Sequence, residues 1–173
     1  MIAFIYRLSN WTAIVGGILL VAVTLMAVTS VIGRALIGIG LGPVPGDYEL
    51  AEAGIGIAIF YFLPWCYLRG GHATVDLLYM HMPKWFRTAV DLFSDIAMLL
   101  IWIVLTWKLW EGMLEKKEYM ETTFILQMPV WWAYALCFGG AVVGCIAYVA
   151  KTLTRMGLAS EPAGWTVEAN AGH

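Results

Sequence analysis

Four long apolar stretches run along the chain, separated by shorter polar or glycine-rich segments. They cover residues 11–33, 48–68, 88–110 and 129–150. A helix that crosses a bilayer needs about 20 mostly apolar residues, because each residue rises about 1.5 Å and the hydrocarbon layer is about 30 Å thick. The pattern therefore predicts an all-α integral membrane protein with four transmembrane helices.

The segments between the spans differ in character. Residues 35–46 are rich in glycine and proline and are expected to form a loop, after which Asp47 suits the N-cap of the second helix and Pro129 the first turn of the fourth. Residues 111–127 are charged and helix-prone, so the third helix is expected to continue beyond the membrane. The tail, residues 156–173, is small and polar and is predicted to be disordered.

The segment after the second span predicts one further element. Gly70 and Gly71 break the helix, and Thr74 can cap a new one. Apolar side chains then recur at helical spacing up to Met82, with polar side chains between them. We therefore expect a short amphipathic helix at about residues 74–82, lying in the membrane interface between the second and third spans.

Composition supports the membrane class. The chain has 173 residues, of which 61% are hydrophobic and only 13% are charged, whereas soluble domains carry about 25% charged residues. The net charge of −2 argues against a nucleic-acid partner, because such proteins carry basic patches. Residues 1–155 are accounted for by a single membrane domain, which leaves no room for a second folded domain.

Lysine and arginine predict the orientation, because they accumulate on the cytoplasmic side of a membrane protein. Four spans place both termini on one side. That side would hold six basic residues: Arg7, Arg69, Lys84, Arg87, Lys151 and Arg155. The other side would hold four: Arg34, Lys108, Lys116 and Lys117. Both termini are therefore predicted to be cytoplasmic.

Charged side chains near the ends of spans are the candidate functional residues. Arg34 leaves the first span on the side where Glu49 and Glu52 enter the second, so a structural ion pair between Arg34 and one of these carboxylates is expected. Contact with a partner and ion or proton transfer remain alternatives for Glu49 and Glu52. Asp91 and Asp95 are expected to pair with Arg69, Arg87 or Lys84.

Signals for catalysis, cofactors or metals do not emerge from the sequence. The three histidines show no ligand spacing, and Cys66, Cys137 and Cys145 lie within spans, where they are expected to be small buried residues. No phosphate-binding loop, nucleophile elbow or zinc-binding motif is present. Gly140 and Gly144 form a small-xxx-small pair that permits close helix packing, either internally or against a partner.

Three stretches resemble a known family. They are Glu49-Leu-Ala-Glu52, the run Leu68-Arg-Gly-Gly-His-Ala-Thr-Val-Asp-Leu-Leu78, and the run Gln127-Met-Pro-Val-Trp-Trp-Ala-Tyr134. Together they resemble the small membrane subunit, DctQ-like or Q, of tripartite ATP-independent periplasmic (TRAP) transporters. The resemblance covers about residues 5–155, and the Gly-Gly-His-x-x-Val-Asp segment is its most specific part.

The resemblance implies a location in the inner membrane of a bacterium and a set of partners. In such a transporter a large membrane subunit carries the sodium and substrate sites, and a periplasmic binding protein delivers an organic acid. The small subunit packs in the lipid bilayer against the large one as a scaffold, without a site of its own, and its acidic outer face is expected to help dock the binding protein. A self-assembling four-helix channel or exporter is the alternative.

Ten residues are thus expected to have roles in structure or in a partner interface. They are Arg34, Glu49, Glu52, Arg69, Gly70, Gly71, His72, Asp76, Gly140 and Gly144.

Overall fold

The computed structural model of the chain describes residues 2–69 and 84–155. These residues form four helices: α1 (Ile2–Ala35), α2 (Asp47–Leu68), α3 (Lys84–Glu118) and α4 (Trp131–Arg155). A 3₁₀ turn, Ile37–Ile39, follows α1. All four helices are long and apolar enough to cross a membrane, so the prediction of an all-α protein with four spanning helices is confirmed.

Several predictions fall on the remaining residues. The interfacial helix expected at residues 74–82 and the tail, residues 156–173, lie outside the described residues. The same holds for four of the candidate site residues: Gly70, Gly71, His72 and Asp76.

Two of the helices are much longer than a bilayer requires. α1 begins at Ile2 rather than near residue 11, and its 34 residues extend over about 51 Å. α3 has 35 residues and extends over about 52 Å, and it continues past Trp110 to Glu118. The expectation that the third helix would continue through the charged segment after Trp110 agrees with this length, since hydrocarbon occupies only about 30 Å.

The starts of α2 and α4 differ from the sequence prediction by one or two residues. Asp47 is the first residue of α2, and Gly46, with a left-handed φ of 73°, occupies the N-cap position. α4 begins at Trp131, not at Pro129. Pro129 instead forms an isolated antiparallel bridge with Thr122, and its carbonyl accepts a hydrogen bond from the Trp132 amide at 3.2 Å.

α4 is the central helix of the bundle. It packs against α1, α2 and α3, while α1 packs mainly on α2 and α3 mainly on α4. Small side chains let the neighbours approach closely, and Ala141, Ala147 and Ala150 are all buried. α1 and α3 are therefore outer helices, and most of their large apolar side chains face outward.

The Gly140–Gly144 pair serves packing within the chain. A Cβ on Gly140 would come within 2.8 Å of the Tyr61 ring and 3.0 Å of the Phe60 carbonyl group, both on α2. A Cβ on Gly144 would overlap the indole of Trp102 on α3. Of the two roles considered for this pair, the structure therefore favours internal packing over contact with another protein.

Trp102 ties α3 to α4 at the same point. Its indole N–H donates a hydrogen bond to the Ala141 carbonyl at 2.8 Å, and the ring stacks on Tyr148 with centroids 5.0 Å apart. Tyr148 in turn stacks on Tyr67 of α2 at 3.9 Å. The three buried rings join α2, α3 and α4 into one core. Their packing requires that position 144 carry no side chain.

We expect Gly144→Ala to lower the melting temperature of the purified protein in detergent. The added methyl group forces Trp102 away from Ala141, and overpacking of this kind costs about 1–3 kcal/mol. For a chain of this size, each kcal/mol corresponds to roughly 2–4 °C in thermal unfolding followed by tryptophan fluorescence.

The matched control is Gly139→Ala on the neighbouring residue of α4. Gly139 is exposed, and a Cβ there would lie 3.8 Å from the Tyr61 hydroxyl oxygen, an ordinary contact. This variant should melt at or slightly above the wild-type temperature, because alanine favours helix over glycine. Equal melting of the two variants would contradict the proposed role of Gly144.

Candidate functional site

The end of the bundle that holds both described interhelix connections carries three of the six candidate residues that the structure describes. We call it the connector end, and it comprises residues 36–46 between α1 and α2, the α3–α4 loop, residues 119–130, and the ends of the helices that these two segments join. The opposite end, where α1 begins and α4 ends, is the terminal end. Arg34, Glu49 and Glu52 all belong to the connector end.

Asp47 fastens the end of α1 to the start of α2. Its Oδ2 accepts hydrogen bonds from the Ser30 hydroxyl and from the Arg34 guanidinium, the latter an ion pair at 2.5 Å. The Ser30 hydroxyl oxygen also accepts the Val44 amide at 3.2 Å, which draws the connection between the helices into the same cluster. The predicted Arg34 ion pair therefore exists, but its partner is Asp47.

The prediction that Arg34 would pair with Glu49 or Glu52 is thus wrong in the choice of carboxylate. The connector folds back onto α1, and the Gly42 carbonyl lies where a Cβ on residue 33 would be. This close approach sets Asp47 directly against the Ser30–Arg34 turn. No signal in the sequence distinguishes Asp47 from two other carboxylates within five residues, since all three precede or open the same span.

Glu49 binds the α3–α4 loop. Its two carboxylate oxygens accept hydrogen bonds from the backbone amides of Ile125 and Leu126, at 2.6 and 3.0 Å. The Leu126 side chain fills the space that a Cβ on Gly46 would need, so the loop lies flat on the start of α2. Two backbone donors that have no strand or helix partner are satisfied in this way.

The α3–α4 loop is held in a hairpin-like shape by its own hydrogen bonds. The Thr123 amide donates to the Met128 carbonyl at 2.9 Å, and the Val130 amide donates to the Glu121 carbonyl at 3.0 Å. Met120 and Gln127 take left-handed φ angles of 50° and 54°, which non-glycine residues rarely adopt. These hydrogen bonds therefore hold the loop backbone in a defined conformation.

The loop presents large apolar side chains outward. Phe124 is 91% exposed and Met120 is 84% exposed, and Tyr119 and Ile125 are also more than half exposed. Water-exposed protein surfaces seldom gather so many large apolar side chains. Because the loop backbone is already held in one conformation, binding a partner costs less conformational entropy. The arrangement suits contact with another apolar surface.

A groove of about 680 Å³ runs beneath this loop, between α2 and α4. Phe124, Leu126 and Met128 line it on the loop side, while Ile57 of α2 and Leu136 of α4 line its walls. Its volume falls in the range of about 300–1,000 Å³ that is typical of ligand-sized sites. Glu52 also lines the groove and is exposed there.

The terminal end carries a second set of polar contacts. Asp95 of α3 is 5% exposed, and its Oδ1 accepts a hydrogen bond from the Tyr67 hydroxyl of α2 at 2.6 Å. Trp65 donates its indole N–H to the Asn10 side chain of α1 at 3.1 Å. Asp95 was a candidate from the sequence, whereas Tyr67 was not, because tyrosines in membrane helices most often mark the interface.

Arg69 caps α2 at the terminal end. It occupies the C-cap position, and its guanidinium carbon lies 5.7 Å from the Trp65 ring centroid. A cation at the C-terminus of a helix is favoured by the helix dipole, and the aromatic face adds a cation–π attraction. These contacts give Arg69 a structural role at the membrane boundary.

Most of the candidate carboxylates make contacts within the chain. Within residues 2–69 and 84–155, no three His, Cys, Asp or Glu side chains lie close enough together to hold a metal ion. The candidate carboxylates Asp47, Glu49 and Asp95 are occupied by hydrogen bonds that join helices or loops. Glu52 differs from them because it faces the groove.

Glu49→Ala should loosen the α3–α4 loop while leaving the helices intact. Removal of the carboxylate leaves the Ile125 and Leu126 amides without an acceptor, and we expect these amides to exchange with deuterium roughly tenfold faster. Hydrogen exchange followed by mass spectrometry, on the purified protein in detergent, measures the peptide that contains both residues.

The control for this experiment is Glu52→Ala, one turn further along α2. Glu52 makes no hydrogen bond to the loop, so the peptide's exchange should match that of the wild type. Unchanged protection in Glu49→Ala would mean that the carboxylate does not hold the loop.

Comparison with known proteins gives one match. A family model described as "Tripartite ATP-independent periplasmic transporters, DctQ component" matches residues 20–157, from the middle of α1 to two positions beyond the end of α4. No curated protein and no solved structure matches the chain. The match covers well over half of the sequence and agrees with four membrane-spanning helices. The chain therefore belongs to the DctQ family, the small membrane component of TRAP transporters, and is a multi-pass protein of the inner membrane.

Proposed function

We propose that this chain is the non-catalytic small membrane subunit of a sodium-driven TRAP transporter that imports an organic acid. The observation that carries the proposal is the family match over residues 20–157. In this proposal the sodium and substrate sites belong to the large membrane subunit, and a periplasmic binding protein supplies the substrate. The present chain provides a fixed wall beside the moving parts of its partner.

The outer surface of the bundle supports a scaffold role. α1 exposes apolar side chains along nearly its whole length, from Phe4 through Trp11 to Ile32, and α3 does so from Phe93 to Leu114. These two faces are wide enough to contact a large membrane partner and lipid at once. A fixed scaffold must also resist deformation, and the polar contacts at both ends of the bundle serve that purpose.

The polar ties hold the helices at fixed positions. Asp47 joins α1 to α2, Glu49 joins α2 to the α3–α4 loop, and Tyr67 joins α2 to Asp95 of α3. Charge-assisted hydrogen bonds of this kind are stronger than neutral ones, and burial strengthens the bond between Tyr67 and Asp95 further. A bundle fixed in this way transmits force to a neighbour with little internal sliding.

We propose further that both termini are cytoplasmic, which places the connector end in the periplasm. That end then carries seven carboxylates against four basic residues. The carboxylates are Asp47, Glu49, Glu52, Glu111, Glu115, Glu118 and Glu121. Excess negative charge at the periplasmic surface attracts a binding protein with a basic face and raises its association rate.

Affinity purification of the tagged chain from mildly solubilised membranes tests the main proposal. We expect a large membrane protein with many predicted spans to be recovered in constant ratio. Deletion of the gene for the present chain should abolish uptake of the organic acid. A homogeneous species that contains only this chain would contradict the proposal and would favour a self-assembling channel or exporter.

The double substitution Glu115→Gln and Glu118→Gln tests the docking of the binding protein. Both carboxylates are exposed near the end of α3. Their loss should slow association of the binding protein about threefold at low salt and have little effect at high salt, since screening already suppresses long-range attraction there. Surface plasmon resonance on the complex in nanodiscs measures the association rate at low and at high salt.

A charge swap on the same helix supplies the control. Lys108 and Glu111 form an exposed ion pair at 2.6 Å, and exchanging the two residues leaves the net charge unchanged. This variant should bind the periplasmic protein at the wild-type rate. If the double Glu→Gln variant also retained the wild-type rate and salt dependence, the acidic segment would have no part in docking.

A further inference from the structure

Glu52 is distinguished from its neighbours by its surroundings. Asp47 and Glu49, on the same helix, each accept two or more hydrogen bonds. In the described part of the chain, no hydrogen bond or ion pair reaches the Glu52 carboxylate. Glu52 lies about 7.5 Å along the helix axis from Asp47, the first residue of α2, so it is more than one turn inside this span.

The groove around Glu52 is largely apolar. Ala53 and Ile57 continue the α2 wall, Trp132 and Leu136 form the α4 wall, and the side chain of Leu109 reaches in from α3. The other carboxylate on the groove wall is Glu49, which binds the two loop amides. Within the described residues, the lining includes no basic side chain to balance Glu52.

A carboxylate in this position is costly when the groove contains hydrocarbon. Lipid chains offer no hydrogen-bond donor, and charged side chains within spans pair with one another or with polar groups in nearly all cases. The α3–α4 loop places Phe124, Leu126 and Met128 on the connector side of the groove. If a lipid acyl chain filled the groove, the polar headgroup of that lipid would therefore lie against apolar side chains.

We propose that the groove is the seat of a transmembrane segment of the large membrane subunit, which inserts apolar side chains and places one lysine or arginine against Glu52. Charge complementarity carries this assignment, because a basic side chain satisfies the carboxylate where hydrocarbon does not. The α3–α4 loop above the groove exposes further apolar side chains and so extends the same apolar surface. The inference rests on the proposed function, since it names the contact that joins the two membrane subunits.

Charge reversal at position 52 provides the first test. We expect Glu52→Lys to reduce recovery of the large membrane subunit with the tagged chain by at least about tenfold, because the variant places two like charges together at a desolvated site. Glu52→Gln should show a smaller reduction, because the amide still accepts a hydrogen bond. Glu118→Lys, an equal charge change on the exposed end of α3, should leave recovery near the wild-type level.

Stability measurements separate binding from folding. Glu52 has no partner among the described residues, so the isolated Glu52→Lys chain should melt within about a degree of the wild type. If the wild-type chain recovers no large membrane subunit, the proposed function itself fails. If the wild type and Glu52→Lys recover it equally, only the present inference fails.

Photocrosslinking identifies the occupant directly. A benzophenone amino acid in place of Leu136, on the α4 wall of the groove, should form an adduct with the large membrane subunit when the complex is irradiated in native membranes. Mass spectrometry of the adduct distinguishes protein from lipid. An adduct with lipid alone would overturn the inference, because it would show that an acyl chain fills the groove.

Discussion

The bundle depends on close packing along one face of α4. Lipid is as apolar as a leucine side chain, so helices in a membrane gain little from hiding apolar surface and must instead fit each other closely. Gly140 admits α2, and Gly144 admits the indole of Trp102 from α3. The hydrogen bond from that indole to the Ala141 carbonyl adds a direction to this contact, and the stacked rings of Tyr148 and Tyr67 extend it to α2.

Most of the polar side-chain contacts described above lie at the two ends of the bundle, and close packing around Trp102 dominates the middle. At the connector end, carboxylates at the start of α2 hold one connection through Arg34 and the other through backbone amides. At the terminal end, Tyr67 and Trp65 reach side chains on α3 and α1. The packing contacts in the middle set the distances between the helices, and the polar contacts at the ends set how the helices are rotated and connected.

The sequence predicted what the membrane itself demands. Hydrogen-bond satisfaction in hydrocarbon allows only helices or closed barrels, and apolar stretches of about 20 residues fit helices, so the four spans followed from the pattern of apolar residues. The partner of Arg34 could not be found in the same way, because it depends on the backbone path from Gly33 to Gly42. The contact of Glu49 with Ile125 and Leu126 joins residues 76 or more positions apart, and neither side has a distinguishing pattern. Tyr67 and Asp95 are likewise ordinary residues that the fold brings together.

The long separation between Glu49 and its two amides sets an order of events during synthesis. α2 must enter the membrane with this carboxylate still hydrated, because the two amides that donate to it have not yet been made. At about 5–20 residues per second, the ribosome needs roughly 4–15 s to supply them. The connector end therefore cannot reach its final shape until α3 has crossed the bilayer and the α3–α4 loop has been made. A chain interrupted during that interval would carry an α2 whose Glu49 lacks both of its amide donors.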